Sequence, residues 1–194
     1  MSLSPRESTV SAVAPVFAKV FELFTGGFSI TTTGFNTGVT LPAGSLLKVS
    51  ESARTATPIK TAKTTQTSGS QKIHYVETGH HFAVGDYIGQ TNGPAQTILT
   101  IASTIASGDK ITASGAATGG TAATGAVLFQ ASTGAGTAAV KTVANALSAF
   151  DTTVESGGFV AALRRGTAYK NRVQPHVAGH LADINASIQF SESY

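Results

Sequence analysis

Apolar residues recur at helical spacing only near the start of the chain. Val13, Val16, Phe17, Val20, Phe21 and Phe24 follow the i, i+3, i+4, i+7 pattern, with Lys19 and Glu22 turned away. Pro15 stands near the beginning, where proline is tolerated, and Gly26-Gly27 supplies a stop. The spacing predicts an amphipathic helix within an N-terminal arm over residues 1–27. Its aromatic stripe (Phe17, Phe21, Phe24) packs on the chain's own core or docks on a neighbouring subunit, and the stripe alone does not separate the two. The polar face lacks the Lys/Arg excess of a helix lying on a membrane.

From Phe28 the pattern changes to short strands. "FSITTTGF", "GVTLPAGSLLKVS" and "ATPIKTAKTTQT" are Thr- and Val-rich runs broken by Gly and Pro. "LPAGS" reads as a turn, with Pro42 fixing one φ and Gly44 free to take a positive one. "TSGSQ" (Thr67 to Gln71) reads as a short linker. Beyond it, "KIHYVET" alternates, with Ile73 and Tyr75 on one side and His74 and Val76 facing outward. "HFAVGDYIGQ", "QTILTIAST", "DKITAS" and "GAVLFQAS" then follow as strands at a spacing that suits a small barrel or sandwich. "SGAATGGTAATGA" (Ser114 to Ala126) reads as a long loop holding a short, weak strand. In the last third "GFVAALRRGTAY" and "ASIQF" read as strands, and "PHVAGHLADI" (Pro175 to Ile184) as a short helix. "TAAVKTVANALSAFDTTVES" fits either a helix or a loop with a strand.

The expected fold is therefore mainly β: a strand-rich base, an inserted small β-barrel or sandwich, and one or two short helices. The base takes residues 28–67 and 133–194, and the insert takes residues 68–132. A chain of 194 residues is long enough to bury a real core. Only 12% of its residues are charged, against about a quarter in an ordinary soluble domain. Such a lightly charged surface suits a protein that works inside an assembly. There is no cysteine, which removes disulfides, zinc-thiolate sites and cysteine nucleophiles. "MSLSPRESTV" lacks the order of a signal peptide, and no apolar run reaches the roughly 20 residues that span a bilayer. A net charge of +3 is too slight to name nucleic acid as a partner.

Candidate chemistry centres on five histidines. His176 and His180 are four apart, which on a helix would put both imidazoles on one face. The H-E-x-x-H pattern is missing, however, and Gly179 weakens that helix. His80 and His81, if in a strand, would point to opposite faces. They read as surface and turn histidines with no metal, no cofactor and no catalytic role. No G-x-S-x-G elbow occurs, "TGGTAATG" lacks the lysine of a phosphate-binding loop, and no two carboxylates suggest an acid–base pair. "LRRGTAYKNR" is the densest basic run. Arg164, Arg165, Lys170 and Arg172 there form either a docking patch for an acidic surface or an ordinary solvated turn.

Three stretches, "LPAGSLLKVSESARTATPIKTAKTTQT", "YVETGHHFAVGDYIGQ" and "TILTIASTIASGDKITASGAATGGTAATGAVLFQAS", resemble structural proteins that stud the heads of tailed bacteriophages. These are head fiber, auxiliary capsid or decoration proteins. "GHHFAVGDYI" is similar to their x-G-H-x-F-x-V-G-D-x-I segment, and the likeness covers roughly residues 38 to 190. It implies a non-enzymatic virion protein on the outer capsid surface, bound to the major capsid protein and assembled as a homotrimer. It also implies that Gly79 and Gly85 shape a turn that Asp86 caps, while Phe82, Val84, Tyr87 and Ile88 feed a small core. The partner-binding candidates are then Phe17, Phe21 and Phe24 with Arg164, Arg165, Lys170 and Arg172. The alternative is a β module that binds carbohydrate or a host surface, although Trp is absent and only four tyrosines are present.

Overall fold

The computed structural model describes residues 15–105, 108–115, 122–184 and 186–192. Val13 of the expected helix and part of the Ser114-to-Ala126 stretch lie outside them. The chain is mainly β, as its Thr-rich, Gly-punctuated text leads one to expect. Five strands come first: β1 (Phe17–Leu23), β2 (Phe28–Ile30), β3 (Thr40–Leu41), β4 (Leu46–Ser50) and β5 (Thr55–Pro58). Six follow: β6 (Thr61–Gln66), β7 (Ile73–Val76), β8 (Tyr87–Gly89), β9 (Gln96–Ile105), β10 (Gly108–Ala113) and β11 (Val127–Gln130). The last are β12 (Ala146–Ser148), β13 (Thr152–Thr153), β14 (Phe159–Val160), β15 (Ala162–Tyr169) and β16 (Ile188–Ser191).

The middle six strands close a barrel in the order β10-β7-β6-β11-β8-β9. Its first strand begins at Thr61, ahead of the expected insert boundary at 68. Val76, Phe82, Ile88, Ile98, Ile111 and Leu128 fill the interior. Here the facing of β7 is the reverse of the one expected. His74 and Val76 are buried, while Ile73 and Tyr75 lie nearer solvent. His74 can turn inward because Gln96 Oε1 meets its Nε2 at 3.0 Å.

The outer strands form an eight-stranded sheet in the order β1-β15-β12-β4-β5-β2-β14, with β16 also paired to β15. Only Ala161 separates β14, at one end of the path, from β15, the second strand from the other, so the sheet curls on itself. Phe28, Ile30, Leu47, Val49, Val154 and Val160 pack inside the curl. Leu46, Ile59, Leu147, Leu163 and Val173 make a second core on its other face, covered by Phe17, Leu23 and Phe190. The turn before β4 forms as read: Ser45 N–H donates to Pro42 O, and Gly44 takes φ +80°.

Two helical expectations are corrected. The N-terminal segment is a strand, β1, paired antiparallel with β15. Three register shifts interrupt that pairing, so Phe17, Val20 and Leu23 all stand opposite residues buried in β15, namely Ala168, Gly166 and Leu163. The shifts at Phe17/Lys19 and Val20/Glu22 each place an extra residue in β1 and the one at Glu22/Leu23 places one in β15, so residues three apart in β1 return to the same side of the pairing. The second expected helix, Pro175 to Ile184, shrinks to one 3₁₀ turn at Ala178–Leu181. Among the described residues no helix is long and apolar enough to cross a membrane.

Candidate docking face and interdomain joint

Pairing of β1 with β15 brings together residues as far apart in the chain as Glu22 and Arg164, 142 positions. Arg164 Nη1 lies 2.9 Å from Glu22 Oε1, and its guanidinium sits 5.8 Å from the Phe24 ring centre. Arg165 stacks 5.5 Å from the ring centre of Phe21. The three phenylalanines do not share one stripe. Phe17 is half-buried on the outer core, and Phe24 packs edge-on against Phe28 at 5.5 Å. Phe21 remains 61% exposed, beside Val20 at 49%.

A groove of about 510 Å³ runs alongside, lined by Phe21, Arg165, Thr167, Ser187 and Gln189. The far edge of β1 has no strand against it among the described residues. The other two basic candidates point elsewhere. Lys170 Nζ pairs with Glu192 at 2.6 Å and holds that carboxyl below its ordinary range. Arg172 donates to Pro15 O at 2.8 Å and lies over Tyr169. The basic run is therefore divided, and only Arg164 and Arg165 belong to the β1 face.

A second constellation ties the barrel to the base. Lys60 lies between β5 and β6, where the chain enters the barrel, and Gln130 ends β11, where it leaves. The two crossings touch, because Gln130 N–H donates to Lys60 O at 3.1 Å. Both side chains grip Asp86 of the barrel. Lys60 Nζ stands 2.6 Å from Oδ2, and Gln130 Nε2 donates to Oδ1 at 2.8 Å. Lys60 also donates to Gly34 O of the base and lies 4.9 Å from the ring centre of Phe35. Asp86 caps its own turn by accepting Ala83 N–H at 2.8 Å. One carboxylate thus fixes a barrel turn and both crossings. The Asp86 cap is the one the family resemblance implies, whereas Lys60 and Gln130 were not among the candidate residues. Their only signal was position, a charged and a polar residue standing at the limits of the barrel strands.

The histidines are placed differently from expectation. His74, His80, His81 and His180 are buried rather than on the surface. His80 Nδ1 accepts Phe82 N–H at 3.2 Å, and its Nε2 faces Asp109 Oδ2 at 3.2 Å. Burial outweighs the Asp109 charge and lowers its pKa. His180 Nδ1 accepts Val177 N–H at 3.2 Å, its ring edge-on to Phe129, and burial lowers its pKa to about 4. His176 Nδ1 meets Gln174 O instead, so the pair shares no ligand position. Among the described residues no group of three or more His, Asp or Glu could hold a metal ion. Near the histidines, Gly79 and Gly85 take positive φ as expected, and Phe82 and Ile88 enter the barrel core. Val84 and Tyr87 do not, and lie exposed on its wall.

No protein-family model matches this chain, and neither the curated proteins nor the solved structures contain a significant match.

Proposed function

We propose that this chain is a non-enzymatic structural protein of the virion, decorating the outer surface of a tailed-phage head. Its base sits on the major capsid protein, its barrel projects outward, and three copies associate by closed symmetry. The β1 face is the observation that carries this reading. An open strand edge presents backbone groups that another chain can pair with. Val20 and Phe21 add apolar surface to that edge. Lys19 and Arg165 add positive charge with no ion-pair partner among the described residues, which suits an acidic surface. Contact of ordinary size, about 1,600 Å² in total, would hold such a protein in place.

The test begins with the mass in solution by light scattering, followed by co-sedimentation with capsids that lack the protein. A trimer that saturates capsids at a fixed ratio supports the reading, and F21D/R165E should fold normally yet fail to sediment. A monomer that ignores capsids would overturn it. A carbohydrate-binding reading would then take its place, favoured by an uncharged groove of about 540 Å³ that includes Asn92, Ser114 and Thr137 on the barrel.

A further inference from the structure

The Lys60–Asp86 contact at the joint has the parts of a reaction as well as those of an ion pair. Lys60 Nζ and Asp86 Oδ2 lie 2.6 Å apart, with the side chains only 3% and 15% exposed. A nitrogen hydrogen-bonded to a carboxylate oxygen also stands close to the carboxyl carbon, near the separation of about 3–3.5 Å from which addition begins. The Phe35 ring covers Nζ at 4.9 Å, and His81 packs edge-on against that ring at 5.8 Å. Such enclosure keeps bulk water from competing for either group.

The partners on each side are those that an amide between the two side chains would use. Lys60 Nζ donates to Gly34 O, and Asp86 Oδ1 accepts from Gln130 Nε2 at 2.8 Å. After condensation the amide N–H keeps Gly34 O, and the amide oxygen, formerly Oδ1, keeps Gln130. Oδ2 is the atom that departs, and Ala83 N–H is the donor it releases. An ion pair buried this deeply carries a desolvation cost that a neutral amide does not.

We propose that Lys60 and Asp86 condense after folding into an intramolecular isopeptide bond, which fastens the barrel turn covalently to the chain crossing beside it. One proton crosses the 2.6 Å contact and leaves a free amine and a carboxylic acid. The amine adds to Cγ, and the negative charge that develops on Oδ1 meets the Gln130 amide. A second proton passes from the nitrogen to Oδ2, the bond from Cγ to Oδ2 breaks, and one water leaves. No other reactant is consumed. The ion pair is the contact in the newly folded chain, and the amide is its product with time. None of this depends on the capsid reading.

Intact-mass spectrometry of the full chain, incubated folded for a week and then denatured, reads the bond directly. Wild type should come out lighter than its sequence by one water, about 18 Da. Trypsin should leave the chain uncut after Lys60 and yield a branched peptide that joins residues 55–63 to residues 73–110 through Asp86. Lys60→Arg keeps the charge but not the nucleophile, and should hold its full mass. A wild-type chain still at its full mass would overturn the proposal. So would a water lost equally from Lys60→Arg, which would place the loss at another site. Should that variant not fold, wild type that yields no branched peptide would overturn it as well.

Discussion

Replacing Lys60 by methionine keeps the length and the apolar stem of the side chain and removes its charge. The Lys60 side chain is 3% exposed and that of Asp86 15%, with 2.6 Å between their charged atoms. In Lys60→Met, Asp86 keeps the Ala83 N–H and the Gln130 amide but loses its ion-pair partner. Gly34 O loses a donor in the same step. Breaking a buried ion pair from one side typically costs about 3–5 kcal/mol. Two surviving donors place this case at the lower end, at about 3 kcal/mol. Against a total of roughly 5–15 kcal/mol for a domain, the loss is easily measured by equilibrium urea unfolding. Removing the carboxylate too, in Lys60→Met/Asp86→Asn, should restore about 1–2 kcal/mol relative to additivity, since no unpaired charge is left buried. Limited proteolysis should cut the single variant at the crossings first. A Lys60→Met protein within about 0.5 kcal/mol of wild type, or strict additivity in the double variant, would refute the claim that this pair fastens barrel to base.

Other expectations rest on separate features. A Cβ on Gly166 would stand 2.6 Å from Lys19 O, so Gly166→Val should lift β1 off β15 and abolish capsid co-sedimentation while barrel NMR signals stay in place. Gly44→Ala combines φ +80° with a Cβ 2.5 Å from Val16 Cγ1, and should cost about 3 kcal/mol in urea unfolding. Gly125→Ala has φ +81° but nothing within 4 Å, and should cost only about 1 kcal/mol. His81 and His180 have folded pKa values lowered from 6.5 to about 4, so the unfolded chain binds more protons between those limits. Their contribution to stability is complete above pH 6.5 and is lost as pH falls toward about 4. Urea midpoints should drop across that window, and imidazole NMR shifts should show both rings neutral at pH 5.

Strands were legible wherever Gly and Pro punctuated β-branched text, as at β4, β9, β10 and β15. They were illegible where local irregularity altered the period. In β1 the bulges set Phe17, Val20 and Leu23 three residues apart along the pairing, a spacing that sequence alone assigns to a helix. In β7 both alternating sets carry an apolar member, Ile73 and Tyr75 against Val76. Alternation therefore did not choose the face, and the deciding partner, Gln96, lies on another strand. The buried histidines were missed for a related reason. Phe82 N–H and Val177 N–H meet His80 and His180 locally, and hydrophobicity patterns do not register backbone donors. Arg164 and Arg165 were legible as a basic run, but Phe21 and Glu22 became their neighbours only through the pairing of β1 with β15.

The way the barrel is set into the base also bears on the order in which the chain becomes structured. The base is sewn from both ends of the sequence, β4 against β12 and β1 against β15, across the whole length of the insert. Closing such a loop while it is unstructured is entropically costly and slow. The barrel needs only its own six strands, and pairing of Thr61 with Phe129 brings its two ends side by side. The complete barrel would emerge from the ribosome ahead of β12. Once folded, the barrel acts as a clasp that holds its entry and exit together, so the base closes over the short stretch between Gln130 and Ala146 instead of the whole insert.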